Sequence, residues 1–582
     1  MDGHGLKQDV LSGYPRKDYD DKTTSIIENI EEVIFLNEEN GWINSYGNKL
    51  DIGTWDRESR IATLDNKIEQ RGKLLVIEVN NATIDGTGAV IGEESVAINI
   101  VGQHDINLKN FIIENCEIAM YIEFSQSISI EYTSFKENEK AISINRSSEI
   151  KIKNNLIESS KNSCVGIFIL DSGKVIIQDN DIYIKIKNNS NNSMEASYSG
   201  IATENSTTIY IINNEIEIID GNIQIEKLES YCVNGCCINS YSTNDTLIRY
   251  NNLYIKNNIF NLRNCNLVEV NFSSIYLDSN NTRIDVEEND IIVEFNNLDI
   301  SYNKGEIGFY GILCSNENNA NIIKNNYILI NDNIYGLNST TNNVKYIYFI
   351  GVLLDSYNNY NEINANAIKL QKNAASFEVN LNRAVNLISG IYFNFDNTTN
   401  NIIDNDFTIK ENNIAKGESI ITNFSLIHLY YNNICNTIKG NNLNESQENG
   451  IVLISKNDVT EILENNITNN EGNGILLSKL KNIETTNTVT IKNNNIINNK
   501  EYGLYLTKGN YLNIVRENNF ISNINKNIYD DNSSEFINYY EKNYYDDCNE
   551  ETPYIIEKSK FMDYYPSKNL YNNKWWFNNK VG

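Results

Sequence analysis

The chain has 582 residues and carries 77 Asp and Glu against 48 Lys and Arg, a formal net charge of -29. That charge repels nucleic acid and anionic membranes, so neither is expected as a partner, whereas neutral or cationic partners suit it. Only 3 Pro and no Pro- or Gly-rich linker interrupt the sequence, which predicts one elongated body in place of a string of ordinary domains.

The first residues, MDGHGLKQDVLSGYPRKDYDDKT, hold neither a basic n-region nor an apolar h-region, and no later stretch reaches about 18 consecutive apolar residues. The expectation is an unanchored chain without membrane insertion and without a cleavable signal in this sequence. Residues 22–36, KTTSIIENIEEVIFL, place apolar side chains at helical spacing behind the capping candidates Thr24 and Ser25. They predict a short amphipathic helix that covers the N-terminal end.

Beyond residue 70 the pattern changes to short alternating runs such as SEIKIKNN, TTIYIINNEIEIID and NTVTIKNNNI, rich in Ile, Val, Tyr and Thr. Period-two alternation over so few residues reads as strand, with Asn and Gly marking turns. Paired asparagines followed by an apolar residue recur at Asn154-Asn155, Asn213-Asn214, Asn325-Asn326, Asn441-Asn442, Asn465-Asn466, Asn494-Asn495 and Asn518-Asn519. Asn442 and Asn466 stand 24 residues apart, whereas Asn180 and Asn213 stand 33 apart, so a fixed coil with loops inserted at some corners is expected. Strands this short cannot bury an apolar face alone, and stacking of successive coils is the remedy. The result is an all-β solenoid. Asn suits its bends because it tolerates the left-handed conformation, and an inward amide can bond its equivalent one rung away. The aromatic, Pro-containing close breaks the repeat and predicts a C-terminal cap. The expected division is 1–70 as N-terminal segment and cap, 71–540 as solenoid and 541–582 as the aromatic cap.

The opening coils LVIEVNNATIDGTGAVIG (75–92) and VAINIVGQHDINLKNFIIEN resemble those of the right-handed parallel β-helix superfamily of pectin-lyase-like proteins, within it the CASH or NosD-like repeat type. The close NYYDDCNEETPYIIEKSKFMDYYP (543–566) is similar to that group's terminal pattern of an aromatic NYW-x-D element, then TPY-x-I, then D-x-YP. The resemblance implies a single-stranded right-handed parallel β-helix over about residues 70 to 566. It implies no one activity, because lyases, hydrolases, epimerases and surface proteins share the fold. The polygalacturonase-like signatures N-T-D, G-D-D and R-I-K are missing, and the one GHG is Gly3-His4-Gly5, outside the repeats. Pectate-lyase-like and mannuronan-epimerase-like signatures are missing too.

Polysaccharide lyases need a cation beside the uronate and a base, and glycosidases need two carboxylates at a defined separation. The stretch that mixes acids with scarce arginines at rung-like intervals is Asp245, Arg249, Arg263, Asp278, Arg283, Asp285 and Glu287, the candidate catalytic face. The bland alternative is a solvated strand face. Calcium is the one cofactor the acidic turns suit, at Asp179 and Asp181, Asp404 and Asp406, or Asp546 and Asp547, with turn formation by Asp as the competing role. His occurs only at 4, 104 and 428, against a zinc site. The nine Cys lack disulfide-scaffold spacing; Cys232, Cys236 and Cys237 form the one cluster. Outward tyrosines, for example Tyr346 and Tyr348 or Tyr502 and Tyr505, could stack on sugar rings.

The leading reading is a non-catalytic surface-associated β-helix, structural or adhesive, with a polysaccharide or surface glycan as partner, located extracellularly or on a cell or spore surface. The alternative is a polysaccharide-active enzyme, a lyase, glycoside hydrolase or epimerase, whose groove is built by the insertions between 214 and 400. A NosD-like partner in metal-site maturation ranks lowest, since three His and four Met supply few soft copper ligands. Trimers are common in the resembled group, which leaves a homo-oligomer open.

Overall fold

The computed structural model describes residues 33–571 apart from the short segments 66–69, 94, 188–192, 220, 227–229, 339–344, 379–383, 415–419, 481–486, 533–537, 549–552, 557 and 560–561. They form two compact units that divide at Lys304 and Gly305. Among the described residues every regular element is a strand, and no helix is long and apolar enough to cross a membrane.

In residues 33–304 each turn of chain lays three short strands on three faces. Ile118–Glu123, Gln126–Glu131 and Ser134–Lys136 make one rung; Lys140–Asn145, Ser148–Lys153 and Leu156–Ser159 make the next. Parallel pairing joins them in register, Tyr121 beside Ser143, Ser129 beside Lys151 and Phe135 beside Ile157. Alternation along each strand turns Ile128, Ile130, Ile150 and Ile152 inward, where none is more than 1% exposed. A column of like side chains therefore fills the interior, and burial that one rung cannot achieve is shared by all.

The N-terminal end departs from the helical cap expected for 22–36. Val33–Asn37 is a strand, antiparallel to Gly41–Asn44 and parallel to Leu74–Glu78, and residues 22–32 lie outside the described residues. Its burial alternates, with Ile34 and Leu36 fully buried, and the run Val33-Ile34-Phe35 is β-branched and aromatic. A second antiparallel pair, Gly53–Asp56 with Ile61–Leu64, completes the end. Indole N–H groups pin both pairs, Trp42 Nε1 donating to the Thr63 carbonyl at 3.0 Å and Trp55 Nε1 to that of Glu38 at 3.1 Å.

Residues 305–571 repeat the three-face plan. Between the second and third faces runs a column of buried asparagines, Asn326, Asn366, Asn405, Asn441, Asn465, Asn494, Asn518 and Asn543. Each backbone N–H donates to the Oδ1 of the next at 2.9–3.1 Å, although the sequence separation falls from 40 residues to 24. Corners are thus fixed while rung length varies. A residue with positive φ precedes each ladder position, as at Asn325 (54°), Asp404 (55°) and Asn493 (58°). Gly474 shows why a glycine opens the first-face strand, since a Cβ there would lie 2.6 Å from the Gly503 carbonyl oxygen.

The added length of the long rungs is regular. Lys345–Ser356, Ala384–Phe395 and Ile420–Tyr431 are 12-residue first-face strands, and Ile334–Asn338, Ala374–Glu378 and Asn413–Ile414 form an additional parallel stack. In the other unit Ser193–Glu204 and Ser230–Tyr241 are extended in the same way. The described parts of the insertions between 214 and 400 are largely strands, where sequence reading expected loops.

The ladders have a direction, and the C-terminal end stops them with carboxylates. Asn543 donates from its backbone N–H (2.9 Å) and Nδ2 (3.1 Å) to Oδ2 of Asp563, which is fully buried. In a second column Asn513 donates to Asn538, whose Nδ2 reaches Oδ2 of buried Asp530 at 3.0 Å. In a third, Asn499, Asn523 and Asn527 lead to Oδ1 of Asp547 at 2.7 Å. A carboxylate is acceptor-only, so it meets the last donor without leaving another. Aromatic stacking closes the same end, Tyr545 lying 5.6 Å from Phe520 and 3.6 Å from Tyr554.

Candidate functional site

The second face of residues 33–304 carries a polar column with one member per rung. From His104–Lys109 onward the second residue of each strand is left-handed: Asp105 (56°), Ser127 (55°), Glu149 (60°), Lys174 (53°), Thr208 (59°), Asp245 (52°) and Arg283 (57°). Their flanking residues are in register, His104 beside Gln126, Gln126 beside Ser148, Ser148 beside Gly173, Gly173 beside Thr207, Thr207 beside Asn244 and Asn244 beside Thr282. A non-glycine residue with positive φ is uncommon and needs local support.

At its N-terminal end this face holds an open cavity of about 590 Å³, lined by Arg60, Thr83, Asp105, Asn107, Ser129, Glu131, Glu149 and Lys151 among others. Arg60 is anchored beforehand: its Nη1 pairs with Glu38, its Nε donates to the Asn81 carbonyl at 3.3 Å, and its guanidinium lies 5.4 Å from the Trp55 ring centre. Glu149 accepts from Gln126 Nε2 at 3.1 Å, Ser127 Oγ at 3.0 Å and Lys174 Nζ at 3.2 Å. Those donors, Gln126 first, hold its carboxyl below the usual carboxylate range. Glu131 accepts from Ser129 Oγ at 2.9 Å, and Asp105 faces His104 Nδ1 at 2.9 Å. Asn107 Oδ1 is enclosed and finds no hydrogen bond within the protein. The arrangement offers fixed acceptors, four hydroxyls (Ser59, Thr83, Ser127 and Ser129) and two cations, a set suited to sugar hydroxyls.

Five of the predicted residues, Asp245, Arg249, Arg283, Asp285 and Glu287, fall on this face. Arg283 grips Asp245 with two bonds, Nε to Oδ1 at 2.8 Å and Nη2 to Oδ2 at 2.9 Å. Arg249 donates to Glu288 Oε2 from Nε (3.0 Å) and Nη2 (2.8 Å) and lies 4.5 Å from the Tyr250 ring centre. Asp285 is half-buried beside Leu247, and desolvation followed by the charge of Glu287 raises its pKa. Arg263 and Asp278 are not part of this group. Arg263 is exposed within Ile259–Leu277, a first-face strand, and Asp278 ends that strand, accepting from the Ser279 N–H at 2.8 Å. Spacing alone gave them the right rung but could not give the face. The cavity residues escaped sequence reading because Arg60 reaches the face from an N-terminal hairpin; superposing the repeats on their left-handed positions would have exposed Asp105, Ser127 and Glu149.

The acidic turns proposed for calcium are engaged by protein donors. Asp179 accepts from Asn213 Nδ2 at 2.6 Å, Asp406 from Asn442 Nδ2 at 2.7 Å and Asp546 from the Ser522 N–H at 2.7 Å. Among the described residues no three His, Cys, Asp or Glu side chains are grouped to hold a metal ion. None of the nine cysteines, all of them among the described residues, forms a disulfide; burial pushes the Cys232 and Cys236 thiols up to about 12. Of the tyrosine pairs, Tyr348 is buried against Tyr346, with ring centres 6.1 Å apart, whereas Tyr502 and Tyr505 are half-exposed.

The family model described as "Periplasmic copper-binding protein (NosD)" matches residues 58–217 and 410–562, together more than half of the chain. The chain belongs to the NosD family. No curated protein matches it. Among solved structures it is similar to DFA-IIIase from Arthrobacter chlorophenolicus A6 in complex with DFA-III (10% identity, TM-score 0.28, 53% of this chain and 69% of that one). It is also similar to PfbA, a surface adhesin of Streptococcus pneumoniae (15%, 0.30, 61% and 83%), and to the tailspike protein of E. coli bacteriophage HK620 with a pentasaccharide (10%, 0.29, 73% and 69%). Among the described residues no side chains are grouped to hold the copper of the NosD description. His104 is paired with Asp105, His428 is enclosed in the core, and among the described residues no group of three His, Cys, Asp or Glu side chains could hold the ion.

Proposed function

We propose that this NosD-family protein is a non-catalytic, surface-associated β-helix that contacts glycans through the cavity on the second face of residues 33–304. One observation carries the reading: Glu149 is held by three donors and kept ionised, so it serves as a fixed hydrogen-bond acceptor and not as an acid. Lys151 and Asn107 line the same cavity, where side-chain N–H groups would donate to ligand hydroxyls. A cell or spore surface is the setting such a role requires, and calcium is its candidate cofactor.

A second reading, a polysaccharide lyase or glycoside hydrolase working farther along the same face, is favoured by Asp285. Its raised pKa is what a general acid needs, and the Asp245–Arg283 pair stands one strand position away.

The test is a glycan-array screen run together with reducing-end and unsaturated-product assays, with calcium and with chelator. Binding without product, lost in Lys151→Ala with Asn107→Ala, is expected. Product formation abolished by Asp285→Asn would replace the first reading with the second, and silence in all assays would overturn both.

A further inference from the structure

The first face of residues 305–571 has an outward column that runs in register through Val452, Leu476, Tyr505 and Tyr529. Tyr502, two residues before the inward Leu504, stands beside this column. The three phenol rings form one cluster: Tyr502 and Tyr529 have ring centres 4.9 Å apart, Tyr505 and Tyr529 5.1 Å, and Tyr502 and Tyr505 5.3 Å. Tyr505 and Tyr529 are mutually perpendicular (87°) and Tyr502 is tilted against both, so the cluster presents a faceted surface. All three are half-exposed. They also sit at an edge, since among the described residues Lys526–Asp530 pairs only with Tyr502–Leu506.

We infer that Tyr502, Tyr505 and Tyr529 are a glycan-binding subsite, separate from the cavity described above, that takes sugars without a carboxylate, either neutral or amino-bearing. The apolar C–H face of a pyranose stacks on a phenol ring, which gives area without a charge requirement. Glu501 and Asp531, both exposed, border the cluster and accept hydrogen bonds from hydroxyl or ammonium groups. The same carboxylates, on a chain of net charge -29, repel a uronate. Lys526 stands beside Tyr502 in the register and is the cation on this edge. Burial, then Asp531 and the neighbouring tyrosines, raise the Tyr505 pKa, so its hydroxyl remains a donor. The subsite shares with the proposed function only the idea that the ligand is a glycan.

The experiment is calorimetric titration of the full chain with a neutral cello-oligosaccharide, a chitosan oligomer and an oligogalacturonate. Expected is binding of one or both of the first two, weakened about tenfold by Tyr505→Ala with Tyr529→Ala. Tyr505→Phe should stay within about twofold, because it keeps the ring and the fold. Equal or tighter binding of the oligogalacturonate would overturn the inference. So would affinity unchanged in the double variant, or no binding of the first two sugars. Glu149→Gln, in the other unit, separates the two sites: a loss there with none in the tyrosine variants places binding in the cavity alone.

Discussion

The outward column of the first face is buried in one stretch of residues 305–571 and bare in another. In the long rungs Leu353, Tyr392 and His428 are 3%, 3% and 2% exposed; in the short rungs Leu476, Tyr505 and Tyr529, equivalent by register, are half-exposed. The buried stretch follows the 12-residue strands and their additional stack and runs one short rung further, to Val452 at 5% exposure, so in this unit the long rungs carry an outward aromatic into the core. Enclosure has a chemical cost. Both His428 ring nitrogens lack hydrogen bonds, its ring packs edge-on against Tyr392 at 5.0 Å, and burial lowers its pKa to about 3.

Truncation should separate the two stretches most sharply. Tyr392→Ala, which empties a packed site and frees Asn394 from the phenol, is expected to cost about 3 to 5 kcal/mol, whereas Tyr505→Ala costs under about 1 kcal/mol; urea titration reads both. Equal losses would break the comparison.

A pH effect confined to the long rungs ranks next. His428, lowered from 6.5, contributes fully above that value and loses its contribution as pH falls toward about 3. Asp355, buried with one bond from Asn394 Nδ2 at 2.6 Å, is raised by burial from 3.8 to about 6, so its contribution is complete below 3.8 and lost as pH rises through about 6. The two oppose each other between these limits. Asp355→Asn should uncover a stability that climbs with pH by up to about 1.4 kcal/mol per unit. His428→Leu should reverse the slope. Urea titrations at several pH values in this window decide it, and parallel slopes in the two variants would refute the opposition.

The corner should be indifferent to rung length. Asn366→Ala in a long rung and Asn494→Ala in a short one are each expected to cost about 1 to 3 kcal/mol, by the same bonds. Smallest is the exposed Asp245–Arg283 pair, whose removal should shift stability by no more than about 1 kcal/mol.

The corner was the legible part. Asn441, Asn465, Asn494 and Asn518 announced it because they repeat wherever the rung is short, and the ladder predicted from them is the one observed. Val33–Leu36 misled because the strand that joins it to the stacked coils, Leu74–Glu78, is remote in sequence, while helical spacing is a local signal. Asp245 and Arg283 were recognised together because they are 38 residues apart on one face; Arg263 lies between them in sequence yet on another face. Which tyrosines are bare depended on the neighbouring rungs that cover them, a property that residue type does not carry.

The one-way ladder ending on Asp563 behaves like punctuated text. Every asparagine of this column hands its backbone N–H forward, so a chain cut after any of these rungs exposes an unmet N–H group, and the final carboxylate closes the sentence. Whole clauses could be deleted or duplicated between equivalent asparagines, such as Asn494 and Asn518, without disturbing grammar on either side. Evolution can therefore edit the number of repeats freely while the full stop stays in place.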